Sequence, residues 1–128
     1  MTGWYYLSTP YSKHPRGHDA AADEADRECA LLIAAGILAM SPIAHCHRMF
    51  KTGYAQGGDY VTWRSWNRAL IRSSGGVIVC MLDSWEQSDG VKGEISVCTE
   101  FGLPLVYMTP GVVPNISSLS AYLLRAER

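Results

Sequence analysis

The chain lacks an excess of charge of either sign: 11 Lys and Arg stand against 12 Asp and Glu, for a net charge of -1. That balance removes the electrostatic footprint that nucleic acid or an anionic membrane surface would need. No apolar run approaches the ~20 residues of a membrane span, and the amino terminus has no secretory signal pattern. No membrane partner and a cytoplasmic location are therefore expected. Cys-x-x-Cys pairs are missing as well. Cys29, Cys46, Cys80 and Cys98 are widely spaced, and three of them fall within apolar helix or strand patterns. Small buried thiols are expected there rather than a disulfide framework or a zinc site. Repeats, low-complexity tracts and linkers are absent too, so the 128 residues read as a single domain, 1–128, with a real core.

What the chain does have is concentrated between Gly76 and Pro104. Gly76-Val77-Ile78-Val79-Cys80-Met81-Leu82 is an apolar run of strand length, rich in β-branched residues. A polar loop runs from Asp83 to Gly90. Val91, Ile95, Cys98 and Phe101 then recur at the spacing of one helical face, and Gly102 stops the pattern. A second buried strand begins in 103–108. Strand, loop, helix, strand calls for a right-handed crossover and a parallel sheet. In such sheets ligands bind beyond the carboxyl ends of the strands, where helix amino ends face them. Glu94 follows Ser88-Asp89-Gly90 closely, and its carboxylate is expected in the first turn, aimed at that crevice.

The rest of the chain alternates in the same way. Trp4 to Ser8 reads as a strand, and Pro10 and Pro15 punctuate the loop after it. From His18 to Ala35, the residues Ala22, Ala25, Cys29, Leu32 and Ile33 form a buried face. Asp23, Glu24, Asp26, Arg27 and Glu28 form the wet one. Ile37 to Ser41 reads as a strand closed by Pro42, and 43–58 as a long loop of functional kind. Asp59 caps a helix with Trp63, Trp66, Leu70 and Ile71 on its buried stripe and Asn67 beside it. A last helix carries Leu119, Tyr122, Leu123 and Ala126. The expected fold is a three-layer α/β domain of Rossmann/flavodoxin-like type with four parallel strands, and room for a short fifth near Val112-Val113.

Tyr6-Leu7-Ser8-Thr9-Pro10, Ser41-Pro42-Ile43 and Ser88-x-Gly90-Val91-x-x-Glu94 together resemble the nucleoside 2-deoxyribosyltransferase-like superfamily. That group includes deoxyribosyltransferases, deoxynucleoside 5′-phosphate N-hydrolases and CMP N-glycosidases. The resemblance implies that Glu94 is the catalytic nucleophile, with Tyr6 near it. Ser88 matches a position that is Asp in the transferases and Ser in the nucleotide hydrolases. Leu119-Ser120-Ala121 resembles a segment whose serine reaches a neighbouring subunit's phosphate site, which implies a homo-oligomer, a dimer or tetramer. Asn67 stands where many members keep an Asp that handles the base, and Gly75 or Gly76 replaces another common Asp.

The chemistry suits these positions. Breaking an N-glycosidic bond develops oxocarbenium character, which a carboxylate can capture as a glycosyl-enzyme. A helix amino end is expected to keep Glu94 ionised; the plainer reading is a carboxylate that only complements the helix dipole. Serine at 88 can donate to a phosphate where Asp would repel it, Gly90 lets backbone amides approach, and Ser8, Thr9 and Ser12 add donors. Simple loop capping is their ordinary alternative. Trp85 can stack on a base or meet a partner subunit. His45 and His47 with Asp59 form a weak metal signal, and Cys46 a weak thiol-nucleophile signal. The expectation is hydrolysis of a nucleoside 5′-monophosphate with no metal or organic cofactor. The alternatives are a non-catalytic nucleotide-binding module or a deoxyribosyltransferase.

Overall fold

Four short strands line up in parallel in a computed structural model that describes residues 3–53 and 60–116. They are β1 (Tyr5–Ser8), β2 (Ala39–Met40), β3 (Val77–Cys80) and β4 (Leu105–Met108), in the spatial order β2-β1-β3-β4. Helix α1 (His18–Ala34) links β1 to β2. Helices α2 (Pro42–Lys51) and α3 (Tyr60–Ser73) lie between β2 and β3, and α4 (Asp89–Glu100) links β3 to β4. The result is a Rossmann/flavodoxin-like α/β architecture, as the alternating pattern implies. Among the described residues no fifth strand forms, because 112–116 run without one. The expected last helix, and Ser120 with it, lies outside the described residues.

Side chains alternate across the strands and sort the core into two layers. On one face Tyr5, Leu7, Ile78, Cys80 and Met108 pack with Leu32 of α1. On the other, Tyr6, Val77 and Val79 pack with Ile71 of α3 and Val91, Val97 and Cys98 of α4. Ile78 is fully buried on a central strand. Ile78→Ala leaves a cavity there and is expected to cost roughly 2–5 kcal/mol of unfolding free energy in urea titration.

Three local expectations change. The presumed loop 43–58 begins as helix α2: Ser41 caps it, its Oγ accepting the Ala44 N–H at 3.3 Å, and Pro42 takes the first helical position. Proline lacks an N–H that this position does not need, so it starts a helix here as well as ending β2. That leaves β2 with two residues instead of five. On α1, Glu28 is buried and Ile33 is 55% exposed. Glu28 continues the stripe of Ala21, Ala25 and Leu32 at steps of three and four, and it accepts the Gly111 N–H at 2.8 Å. On α3, Asn67 takes the buried place between Trp63 and Ile71, while Trp66 turns outward and stacks on His45 with centroids 4.8 Å apart.

Candidate functional site

From β1 one crossover runs to β2 on one side, and from β3 another runs to β4 on the other. The carboxyl ends of β1 and β3 therefore border a crevice of the kind that binds ligands in open parallel sheets. A pocket open to solvent lies there. Thr9, Tyr11 and Ser12 line it from the loop after β1, and Pro42, Ile43 and Cys46 from α2. Trp63 and Asn67 of α3 and Ser88, Gly90 and Glu94 at the start of α4 complete it.

Glu94 is its chemical centre. The residue is the sixth of α4, past the first turn, on the face that also buries Val91 and Cys98. Tyr6 and Ser8, two apart on β1, point to the same side of the sheet and meet it. The Tyr6 hydroxyl donates to Oε2, and the Ser8 hydroxyl donates to Oε1 at 2.5 Å. The Asn67 Nδ2 amide donates to Oε2 at 3.4 Å. Against the ionised carboxylate Asn67 presents this nitrogen, since its carbonyl oxygen would repel the charge.

The helix amino end was expected to hold Glu94 ionised, and the tertiary structure reverses that. Burial dominates and pushes its pKa up to about 7, although hydrogen bonds from Ser8 and Tyr6 work in the opposite direction. A dipole effect that fades within one turn cannot offset full burial. The consequence is a carboxyl that titrates near neutrality, as acid–base and nucleophilic groups in catalytic sites do.

Two buried polar atoms of the same pocket have no hydrogen-bond partner among the described residues: Thr9 Oγ1 and Asn67 Oδ1. An unmade hydrogen bond at a buried polar atom costs about 1–3 kcal/mol. A ligand that satisfied both atoms would recover that cost.

The other residues singled out from sequence divide. Ser88 caps α4, its Oγ accepting the Val91 N–H at 3.2 Å, so its hydroxyl proton stays available to the pocket. Gly90 adds no side chain over the first amides of α4, which have no carbonyl partner within the helix. Lys13 pairs with Asp89 at 3.1 Å, tying the first loop to this helix start. Gly75 and Gly76 precede β3 at the opposite end of the sheet, away from the pocket. Trp85 tilts against Tyr107 of β4, with centroids 5.7 Å apart, and does not line the pocket. His45 and His47 lie on α2 rather than an extended segment, so two positions of separation turn them apart. Asp59 lies outside the described residues. The Cys46 thiol reaches the pocket, but burial and the nearby Glu94 push its pKa up to about 12, the wrong direction for a nucleophile.

The sequence reading missed Tyr11 and Trp63 as pocket residues. It also missed a chain of polar contacts behind Tyr11. The Tyr11 hydroxyl lies 2.7 Å from His47 Nδ1, and His47 Nε2 lies 2.8 Å from Asp19 Oδ1, to which Lys51 donates at 3.2 Å. The bonded partners are 28 to 36 positions apart in the chain, and no local pattern connects them.

Fold and site together define an open α/β domain with a buried carboxylate presented in a pocket at the strand ends. The chain belongs to the family described as Domain of unknown function (DUF1937), whose model matches residues 3–109. That span contains every pocket residue. Comparison with curated proteins found no match.

Proposed function

We propose that the pocket binds a nucleoside 5′-monophosphate and hydrolyses its N-glycosidic bond, with Glu94 as the nucleophile. The observation that carries this reading is the buried Glu94 carboxyl, held by Tyr6, Ser8 and Asn67 beside two unpartnered polar atoms. The motif resemblance around Ser88 and Glu94 supports the same reading. Oε2 takes two hydrogen bonds and Oε1 one, so Oε1 is the freer oxygen to attack the anomeric carbon. The sugar–base bond breaks with its electron pair leaving on the base, and a bond from Glu94 to the sugar forms. Water then attacks the same carbon, and the bond to Glu94 breaks with its electron pair returning to the carboxylate. The proton that the water sheds goes to the released base or to solvent as the sugar phosphate leaves. Trp63 and Ile43 supply apolar wall for a base, and Asn67 reaches it with Oδ1. A cytoplasmic location suits such a substrate, and neither a metal nor an organic cofactor has a step in this scheme.

Ser88, Gly90 and the first amides of α4 would hold the phosphate, with Thr9 and Ser12 as further donors, while the single Ser8 proton is committed to Glu94. Ser88→Asp tests this. Asp caps helices as well as Ser does, so the fold is retained, but its charge opposes the phosphate. Calorimetry is expected to show at least about tenfold weaker monophosphate binding, a loss of ~1.4 kcal/mol. Affinity for the free nucleoside should change little, and equal loss for both ligands would sink the phosphate assignment.

One observation favours a second reading. Asn67 is an amide and cannot protonate a leaving base, which a non-catalytic nucleotide-binding module would not require. Incubation with a panel of ribo- and deoxyribonucleoside monophosphates separates the two. Free base supports the glycosidase; binding without release supports the module. Base exchange in a mixture of nucleotide and free base would instead indicate a transferase, and neither release nor binding would end both readings.

A further inference from the structure

Among the described residues, the contacts of Tyr11 form a continuous polar path from solvent to the pocket wall. Asp19 is exposed on α1 and sits between Lys51 and His47. Its carboxyl is held below the usual range by Lys51 and then by His47, so it stays an anion. His47, half-buried on α2, turns Nε2 to Asp19 and Nδ1 to the Tyr11 hydroxyl. Tyr11 is held in place by His18, whose ring stacks on it with centroids 4.4 Å apart and an interplanar angle of 13°. Tyr11 and Cys46 both line the pocket.

We propose that Tyr11 gives a proton to the departing base, and that His47, held by Asp19, recharges it. The inference rests on the glycosidase reading and supplies the acid that Asn67 cannot be. With both ring nitrogens of His47 protonated, Nε2–H goes to Asp19 and Nδ1–H goes to the Tyr11 oxygen. The Tyr11 O–H is then free to point into the pocket. As the sugar–base bond breaks, its electron pair stays on the base nitrogen, which takes the Tyr11 proton. The phenolate takes the Nδ1 proton of His47, and neutral His47 regains a proton from solvent. With His47 neutral at Nδ1, Tyr11 donates to that nitrogen instead and offers the base only a lone pair.

The groups that meet His47 are Asp19 from α1 and Tyr11 from the first loop, and Lys51 of its own helix shares the Asp19 carboxylate. Asp23, Asp26 and Arg48 line the same surface groove. Burial, with Asp19 and Cys46, pushes the Tyr11 pKa up to about 12. The phenol therefore keeps its proton until the base develops negative charge.

The test compares two leaving groups on wild type, Tyr11→Phe, His47→Gln and Asp19→Asn. One is the natural base of a monophosphate that the wild type hydrolyses; the other is nitrophenoxide on the same sugar phosphate, which departs without protonation. Tyr11→Phe is expected to lose about 10²-fold in kcat on the natural base, the ordinary contribution of a general acid. On the nitrophenyl compound its loss should be at least tenfold smaller. His47→Gln and Asp19→Asn should show the same split, with kcat falling on the natural base, nearly kept on the nitrophenyl compound, and KM unchanged. Equal losses on both leaving groups, or full kcat on the natural base in His47→Gln, would overturn the relay while leaving the glycosidase standing. A wild type that releases neither leaving group removes the glycosidase reading, and the relay with it.

Discussion

Replacing Glu94 by glutamine is expected to remove base release by at least ~10⁴-fold, since loss of a nucleophile leaves only binding and electrostatic contributions. Glutamine keeps the size of the side chain and an oxygen that can accept from Tyr6 or Ser8. Nucleotide binding should therefore survive, and calorimetry alongside the release assay would show it. The wild type should have its own signature. Only ionised Glu94 attacks, and burial places its pKa at about 7. kcat/KM should therefore rise with pH through about 7, not through the ordinary carboxylate range. Tyr6→Phe removes a hydrogen bond that lowers the Glu94 pKa, so it should move that limb upward. A profile already flat from pH 5 would mean that Glu94 is ionised in the free protein and that the site is wetter than its burial implies.

The same substitution should stabilise the protein. Glu94 has a folded-state pKa of about 7 against a usual value of 4.5, so the folded state favours its protonated form. Stability from that preference is complete below pH 4.5 and is lost as pH rises through about 7. Above that, the buried charge costs on the order of 3 kcal/mol, at 1.36 kcal/mol per pH unit. Glutamine carries no charge to desolvate. At pH 8, Glu94→Gln is expected to raise Tm by roughly 9–15 °C, taking about 3–5 °C per kcal/mol for a domain of this size. The difference should shrink towards zero near pH 4.5. Scanning calorimetry of both proteins from pH 4.5 to 8 checks the sign. A mutant less stable at pH 8 would show that the hydrogen bonds from Tyr6, Ser8 and Asn67 outweigh the burial cost. Gaining stability while losing activity is what a strained functional group predicts.

The alternation of apolar runs and helical periods carried the architecture, because parallel strands must be buried on both faces and helices must cover them. That made β1, β3, α1 and α4 legible from Tyr5, Val77–Cys80, Leu32 and Val91 alone. The short spacing from Ser88 to Glu94 likewise placed the candidate carboxylate, since both residues sit on one helix. Local rules failed where one residue serves two elements. Pro42 both ended β2 and began α2, so a helix was read as loop. They failed again where burial overrode charge, as at Glu28, whose place on the α1 stripe followed from period and not from type.

By itself the sequence determined the layer order, the crevice and the presence of Glu94 in it, all consequences of periodicity and of spacing within single elements. Only the tertiary structure decided what Glu94 is chemically. Its pKa depends on how many surfaces from β1, α3 and α4 exclude water from one oxygen pair. Only the tertiary structure brought Tyr11, His47 and Asp19 into line as well, because they lie on a loop and two helices whose contact is set by packing and not by neighbourhood in the chain.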